Sequence, residues 1–211
     1  AKTELFFYYS GHADNRGLHL ARERFSMKEL RSFFEESPAD VTVAILDACQ
    51  SGSIVREKGG KRVPINIDLG EGNNMSGFAI ITSSTQAEKS QESDELRGSF
   101  FTHFLVSGMR GEADTSNDGA VTLYELYQYA YEKTLSRTYS SATHRQHPSF
   151  DYQMKGTGSV IVAFPSKGNT RLVLPEPLEG NFLVYSKDTD SVLAEIDKRK
   201  GTIRVLAIHP G

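Results

Sequence analysis

One cysteine and one histidine of this chain each follow an apolar segment with the composition of a buried strand. Cys49 stands in the polar turn after the mostly apolar residues 41–46, and His12 follows the apolar and aromatic residues 5–9 in the same way. A thiolate is a nucleophile, and an imidazole beside it can withdraw its proton and later protonate a leaving amine. Backbone amides in the two turns, near Ala13 and Cys49, can stabilise an oxyanion. The pair therefore favours nucleophilic catalysis.

Each of these two residues also has a simpler explanation. A lone cysteine most often packs as a small buried hydrophobe. A lone histidine is more often a satisfied structural residue than a catalyst. What favours catalysis is that both residues stand at the ends of strands that the chain is expected to bring side by side.

The elements between the two residues explain why their strand ends should meet. Strands are predicted at 4–9 and 41–47, and a helix at 26–36 lies between them and begins with an S-x-x-E capping box. Its apolar face is predicted to carry the leucine and the two phenylalanines of the sequence LRSFF. Strand, helix, strand forms a right-handed βαβ unit, so the two strands should be parallel neighbours. Their carboxyl ends then bring His12 and Cys49 together.

The rest of the chain continues with strands and helices up to residue 164 and then changes to short alternating segments. This order predicts an α/β fold with a mostly parallel sheet, then a small all-β appendage. Every side chain at 5–9 is apolar or aromatic, which predicts that helices cover both faces of the sheet. The predicted domains are 1–164, a linker at 165–170 and a partial β domain at 171–211. The further predicted elements are a long loop at 53–76, a strand at 77–84, helices at 99–110 and 122–138, a strand at 158–164, and β segments at 171–174, 181–186, 191–197 and 202–208.

The composition is that of an ordinary soluble globular protein, with 38% hydrophobic and 24% charged residues in a chain of 211. The net charge of −3 gives no general attraction to nucleic acid or anionic membranes. No apolar run approaches the ~20 residues that span a bilayer. The single cysteine excludes an internal disulfide and leaves the redox compartment open. The chain opens shortly before a core strand and closes in a turn, so we interpret it as a piece of a longer protein.

Several motifs resemble, in order, those of one peptidase family. FYYSGHAD and ILDACQSG are similar to the histidine and cysteine motifs of the caspase-like cysteine peptidases (peptidase family C14), closest to their bacterial and metacaspase branches. SSTQAEKSQES and GSFFTHFLVSGMRGEADTSNDGAVTLYEL extend the resemblance over residues 4–164. It implies a caspase-like three-layer fold, a protein or peptide substrate, and His12 and Cys49 as the catalytic dyad. This chemistry requires no cofactor.

Two features depart from the family pattern. Ala13 stands where a glycine usually follows the histidine, and its amide can still donate to an oxyanion if its φ is negative. The family fold also begins with two strands and helices that this chain lacks, which would leave the strand at 4–9 as an exposed apolar sheet edge. The resemblance thus implies a missing N-terminal part of the same protein. It leaves the compartment open between the bacterial cytoplasm and the cell envelope.

Asp47 is a candidate substrate-binding residue, because it lies two residues before Cys49 on the same side of the strand. The spacing alone fits a solvated turn aspartate equally well. Metacaspases carry aspartate here, in the pocket for the residue that precedes the cut. Glu92 matches the acidic residue of that pocket, with Ser90 beside it. Two carboxylates facing one pocket would repel Asp and attract Arg or Lys.

The segment DTSNDGAVTLYE at 114–125 fits the twelve-residue pattern of a calcium-binding loop. A capping box of Thr122 and Glu125 explains the same residues without a metal. The sequence contains no second loop of this kind to pair with it. The candidate calcium ligands are Asp114, Ser116, Asp118, Thr122 and Glu125.

Together these observations predict a cysteine endopeptidase that cleaves after basic residues, Arg in preference to Lys. The loop at 53–76 holds four basic residues between 56 and 62, which predicts that the enzyme processes itself there. The alternative is a non-catalytic caspase-like module that binds other proteins. Ala13 and the missing strands favour that alternative. The residues that favour the enzyme are His12, Cys49, Asp47 and Glu92, all intact.

Overall fold

The computed structural model describes residues 2–14, 16–48, 54, 75–85, 91–93, 96, 98–139, 145–168, 170–187 and 191–208. The helices are α1 (Met27–Glu35), α2 (Phe100–Ser107) and α3 (Leu123–Tyr139), with a π-helical turn at Gly108–Glu112 and a 3-10 turn at Pro165–Lys167. The strands are β1 (Glu4–Gly11), β2 (Ala13–Asp14), β3 (Gly17–Leu20), β4 (Glu23–Ser26), β5 (Val41–Ala48), β6 (Ser76–Thr82), β7 (Glu92–Ser93), β8 (Gly98–Ser99), β9 (Val121–Thr122), β10 (Ser149–Lys155), β11 (Ile161–Ala163), β12 (Arg171–Leu174), β13 (Gly180–Ser186), β14 (Ser191–Lys198) and β15 (Arg204–Ala207).

Contacts within the chain separate two compact units. The first contains residues 1–91 and 134–159, and the second contains 92–133 and 160–211. These units do not coincide with the domain boundary predicted after residue 164. The C-terminal strand β15 packs on the π-helical turn, and β14 packs on α2, so the last β segments share a unit with helical residues.

The first unit is built on a sheet with the strand order β1-β5-β6-β10. β1 pairs with β5 and β5 with β6 in parallel, whereas β10 runs antiparallel to β6. The predicted parallel pairing of the strands before His12 and Cys49 is therefore confirmed. β1 is the edge strand of this sheet among the described residues, also as predicted.

The strand β10 was not expected from the sequence, which instead suggested a strand at 158–164. Only residues 161–163 of that segment are extended, as β11, and they pair with β9 in the second unit. β10 lacks a clear apolar alternation because its one buried residue is Asp151. The carboxylate of Asp151 is paired with Arg31, so burial at this position does not require an apolar side chain.

Helix α1 begins as its sequence predicts. The Ser26 hydroxyl accepts a hydrogen bond from the Glu29 amide at 3.2 Å, and the Glu29 carboxylate accepts one from the Ser26 amide at 3.1 Å. Such a cap typically contributes ~1 kcal/mol. Leu30 and Phe34 are buried against the sheet, but Phe33 is 50% exposed. The apolar face that α1 buries is therefore narrower than the one that the sequence predicts.

The two faces of β1 differ within the first unit. Phe7 and Tyr9 pack against the core that α1 covers. Phe6 and Tyr8 point to the other side and are 52% and 45% exposed. The expectation that both faces of this strand are covered is thus wrong for the described residues, because α1 covers only one of them.

The second unit ends in two antiparallel strand pairs, β12 with β15 and β13 with β14. Three of the four β segments predicted here match these strands closely, and the fourth is shortened to residues 204–207. Their inward side chains form a small core of Leu174, Ala194, Ile196 and Leu206.

A buried carboxyl group also lies in the second unit. Glu112, in the π-helical turn, is almost fully buried. Burial raises its pKa to about 7, although Arg204 and Lys133 favour the charged form, and Asp197 adds to the rise.

Candidate active site

The strand register pairs the residues that directly precede the predicted histidine and cysteine. β1 and β5 stay in register to their ends, where Gly11 is paired with Ala48. The next residue after Gly11 is His12, which is exposed. The next residue after Ala48 is Cys49, which lies outside the described residues, as does Ser90. The pairing therefore brings the two strand ends that precede the candidate catalytic residues together, and the juxtaposition of His12 and Cys49 themselves stays a prediction.

The backbone of His12 is held from two sides. Its carbonyl accepts a hydrogen bond from the Tyr9 hydroxyl at 2.8 Å and one from the His19 amide at 2.9 Å. Gly11 makes room for the tyrosine, because a Cβ atom at this position would lie 2.8 Å from the Tyr9 hydroxyl oxygen. The glycine before the histidine thus permits a contact that orients the histidine.

Ala13 has a backbone geometry compatible with the predicted oxyanion donor. The hydrogen bond from His19 to His12 marks these two as a hydrogen-bonded pair of the β2–β3 ribbon. The neighbouring pair, Ala13 with Leu18, is then the non-hydrogen-bonded kind, so the Ala13 amide points away from β3. Among the described residues, positive φ at non-glycine positions occurs only at Ala21 and Asn117, so the alanine side chain causes no strain here.

Asp47 is buried in β5, with 4% of its surface exposed, and is paired in register with Ser10. The alternative of a solvated turn aspartate is therefore wrong. Glu92 belongs to the second unit, where β7 pairs with β8 and Glu92 lies opposite Ser99. A common pocket for Asp47 and Glu92 stays a prediction.

Both ends of the segment 49–53 are attached to the core of the first unit. On one side, the Ala48 amide donates to the Ser83 hydroxyl at 3.1 Å. On the other side, Ile54 is buried and its carbonyl accepts from Arg31 Nη1 at 3.0 Å. Arg31 also pairs with Asp151 at 2.9 Å. The described residues on either side of 49–53, Ala48 and Ile54, are therefore both fixed to the core of the first unit.

The sequence reasoning missed the polar residues that surround Ala48. Ser83 and Ser84 follow β6, and Gln146 precedes β10, and all three are fully buried. The two serines directly after an apolar strand could have indicated buried hydrogen bonds at this strand end, because buried hydroxyls need partners. Nothing in the local sequence pointed to Gln146.

The loop at 114–125 satisfies its own carboxylates. Asp114 accepts from the backbone amides of Asp118 and Gly119 at 3.2 and 3.0 Å. Glu125 accepts from the Thr122 amide at 3.0 Å and its own amide donates to the Thr122 hydroxyl at 3.2 Å, which is the predicted capping box. Within the described part of the chain, no group of three or more His, Cys, Asp or Glu side chains is arranged to hold a metal ion. The hydrogen bonds explain the loop without calcium, and calcium binding stays a prediction.

The fold and the site together define a class of protein: an α/β domain whose parallel strands present a histidine beside the strand that leads into a cysteine. The family model of the caspase domain, peptidase family C14, matches residues 2–157. The chain therefore belongs to the caspase domain family, whose members are cysteine peptidases. None of the curated proteins matches the chain.

Among solved structures, the chain is similar to the crystal structure of caspase-1 from Spodoptera frugiperda. The two share 17% sequence identity with a TM-score of 0.47. The match covers 77% of this chain and 63% of that one. No helix among the described residues has the length and apolar character needed to cross a membrane.

Proposed function

We propose that this protein is a cysteine endopeptidase that cleaves proteins or peptides after basic residues, Arg in preference to Lys. The observation that carries the proposal is the register between β1 and β5, which ends at Gly11 and Ala48. His12 and Cys49 are the next residues along the two strands, and they are the pair that the chemistry needs. The metacaspase and bacterial branches of the family remain the nearest in motif.

In the proposed reaction, His12 removes the thiol proton and the Cys49 thiolate attacks the scissile carbonyl carbon. The amides of Ala13 and Cys49 stabilise the oxyanion that forms. His12 then donates the proton to the leaving amine, and water hydrolyses the thioester to release the acid and regenerate the thiol. Every step uses protein groups and water, so no cofactor is required.

Substrate preference is assigned to the carboxylates of Asp47 and Glu92, with Ser90 beside them. Asp47 is buried, and a buried carboxylate is strongly stabilised by a cation that neutralises it. Arg is preferred over Lys because its planar guanidinium can bridge two carboxylates with paired hydrogen bonds.

The test uses a thiol-reactive peptide that carries Arg at its reactive end, with mass spectrometry as the readout. Cys49 is the only cysteine of the chain, so a single added mass identifies the labelled atom. We expect the parent protein to be labelled, His12→Gln to be labelled much more slowly and Cys49→Ala not at all. A matched peptide with Asp at the reactive end is the control, and equal labelling by both peptides would contradict the specificity.

The second candidate is a non-catalytic caspase-like module that binds other proteins. Ala13, in place of the usual glycine, is the observation that favours it. This module would leave peptide substrates uncut even where a small reagent such as iodoacetamide alkylates Cys49. Hydrolysis of an Arg peptide by the parent protein but not by Cys49→Ala would exclude it.

A further inference from the structure

The parallel ladder between β5 and β6 ends in an unusual way beside the candidate nucleophile. The Ser83 amide donates to the Leu46 carbonyl at 2.9 Å, as a regular ladder requires. The next bond of a parallel ladder would join the Ala48 amide to the Ser83 carbonyl. Instead, the Ala48 amide donates to the Ser83 hydroxyl at 3.1 Å, and the Ser83 carbonyl accepts from Gln146 Nε2 at 2.8 Å. Side chains thus replace the backbone at the last rung.

The same serine also contacts the carbonyl of Ala48. The hydroxyls of Ser83 and Ser84 donate to this oxygen at 3.3 and 3.4 Å. A hydroxyl has one hydrogen and two lone pairs, so Ser83 can accept from the Ala48 amide while it donates to the Ala48 carbonyl. Both serines are fully buried, where water does not compete and hydrogen bonds are stronger than at the surface. The orientation of the Ala48 carbonyl is therefore well determined.

Fixing this carbonyl has a consequence for the next amide of the chain. The Ala48 carbonyl and the amide N–H of the following residue belong to one planar trans peptide group, in which they point in opposite directions. Side chains that hold the carbonyl therefore set the direction of the amide joined to it. In the proposed function, that amide is an oxyanion donor, and such donors are effective because they are oriented before the reaction begins.

Gln146 holds Ser83 in this arrangement through further hydrogen bonds. Besides donating to Ser83, its side-chain oxygen accepts from the Gln91 amide at 2.8 Å. Its own amide donates to the Thr138 hydroxyl at 3.1 Å. One buried glutamine therefore joins the end of β6 to the backbone of Gln91 and to the Thr138 hydroxyl within the first unit.

We infer that Ser83 and Ser84 are positioning residues that orient the peptide group between Ala48 and Cys49 for oxyanion stabilisation, with Gln146 holding Ser83 in place. This inference rests on the proposed function and deepens it. In this role the two serines act on the backbone of Ala48 rather than on the substrate or the thiol. Their effect passes through the backbone and is confined to steps in which an oxyanion forms.

The experiment compares two reactions of Cys49 in the double variant Ser83→Ala with Ser84→Ala. One is hydrolysis of an Arg peptide amide, which passes through an oxyanion. The other is alkylation by iodoacetamide, in which the thiolate displaces iodide and no oxyanion forms. Removing an oxyanion donor outright costs ~10²–10³ in kcat, and misorienting it should cost less, so we expect a loss of about tenfold or more. KM and the alkylation rate should each stay within about twofold of the parent values.

Two controls separate this role from general support of the fold. Thr42→Val removes a buried hydroxyl at the other end of β5 and should leave kcat unchanged at a similar melting temperature. Ser84→Thr keeps a hydroxyl and should retain most of the parent kcat. If the double variant does not fold, Ser84→Ala alone provides the same comparison with a smaller loss.

The outcomes are distinct. An unchanged kcat in the serine variants, or equal losses in hydrolysis and alkylation, would overturn the inference while the proposed function stands. A parent protein that alkylates but cleaves no peptide of the Arg or Lys series would overturn the proposed function and this inference with it.

Discussion

Tyr9, Gly11 and His12 show how single residues define the site. The tyrosine hydroxyl reaches the histidine carbonyl because the glycine between them has no side chain in the way. Ser83 acts similarly on Ala48 on the neighbouring strand. In both places a buried or half-buried hydroxyl holds the backbone next to a candidate catalytic residue, so the geometry depends on residues that carry no chemistry themselves.

Asp47→Asn tests the predicted specificity at this scale. Leaving a buried charged group unpaired costs on the order of 2–5 kcal/mol, so we expect kcat/KM for an Arg substrate to fall by at least about tenfold. Asp40→Asn is the matched control, because Asp40 is an exposed aspartate just before the same strand. Kinetics with peptides carrying Arg, Lys, Asp or Leu before the cut provide the measurement. Cleavage after Asp as fast as after Arg would show that the pocket is wrongly assigned.

Glu112→Gln tests the effect of burial on a carboxyl group. The folded-state pKa of about 7 lies above the ordinary glutamate pKa of 4.5, so between these values the folded protein retains a proton that the unfolded chain has lost. Stability from this group is therefore full below pH 4.5 and is lost as the pH rises through 7. The loss is on the order of 3 kcal/mol.

The measurement is the free energy of unfolding between pH 5 and pH 8, with EDTA present throughout. Glu112→Gln should lose less stability over this range than the parent, while the exposed Glu4→Gln should follow the parent. Parallel curves for the parent and Glu112→Gln would mean that Glu112 is already ionised at pH 5.

At the scale of elements, α1 connects the sheet with the segment after the candidate nucleophile. Arg31 donates to the Ile54 carbonyl and to Asp151 on β10, and it also pairs with Glu35 one turn further along the helix. The guanidinium group also lies over the ring of Phe78 on β6, at 5.4 Å from its centroid. One arginine therefore joins α1, the strands β6 and β10, and Ile54 in the segment after β5.

Asp151→Asn should destabilise the first unit by ~2–4 kcal/mol, since removing the buried partner leaves the Arg31 charge with only the more exposed Glu35. Glu35→Gln breaks the more exposed pair of the same arginine and should cost under ~0.5 kcal/mol. Urea unfolding of the two variants side by side gives the comparison. An equal loss of unfolding free energy in the two variants would show that Asp151 is solvated rather than buried with Arg31.

The loop at 114–125 gives a second prediction for an element. If the loop binds calcium, the parent protein should melt at a higher temperature in the presence of calcium, and Asp118→Ala should abolish the rise. Asp118 also accepts from the Ala120 amide, so the variant should melt somewhat lower even without the ion. The readout is therefore the difference between calcium and EDTA for each protein. No rise in the parent protein would leave the Thr122–Glu125 capping box as the whole explanation of the pattern.

At the scale of the whole molecule, the long loop leaves β5 and returns in β6, and these two strands are parallel neighbours in the middle of the sheet. The basic residues Arg56, Lys58, Lys61 and Arg62 in this loop lie outside the described part of the chain. A cut there would separate the chain into two fragments whose strands remain hydrogen-bonded to each other.

We therefore expect the active protein to yield two fragments that meet near residues 56–62. They should separate on a denaturing gel and elute together on a sizing column. Cys49→Ala should stay intact under the same conditions. Fragments of the same size from the alanine variant would point to a contaminating protease.

The sequence by itself determined the features that local rules govern. The S-x-x-E pattern located the start of α1, and the apolar runs located β1, β5 and β6 to within a few residues. The handedness of a βαβ unit was enough to predict that β1 and β5 are parallel neighbours, which is the basis for the predicted pairing of His12 with Cys49. The capping pattern at Thr122 and Glu125 was also readable, because its partners are three residues apart.

Only the tertiary structure decided which polar residues are buried and what they contact. Asp47 reads equally well as exposed or buried, and its burial follows from the sheet around β5. Gln146 meets the Ser83 carbonyl across 63 positions of sequence, and Arg31 meets Asp151 across 120. Such contacts leave no periodic pattern in the sequence, because a buried polar side chain needs only one well-placed partner and the fold can supply it from anywhere in the chain.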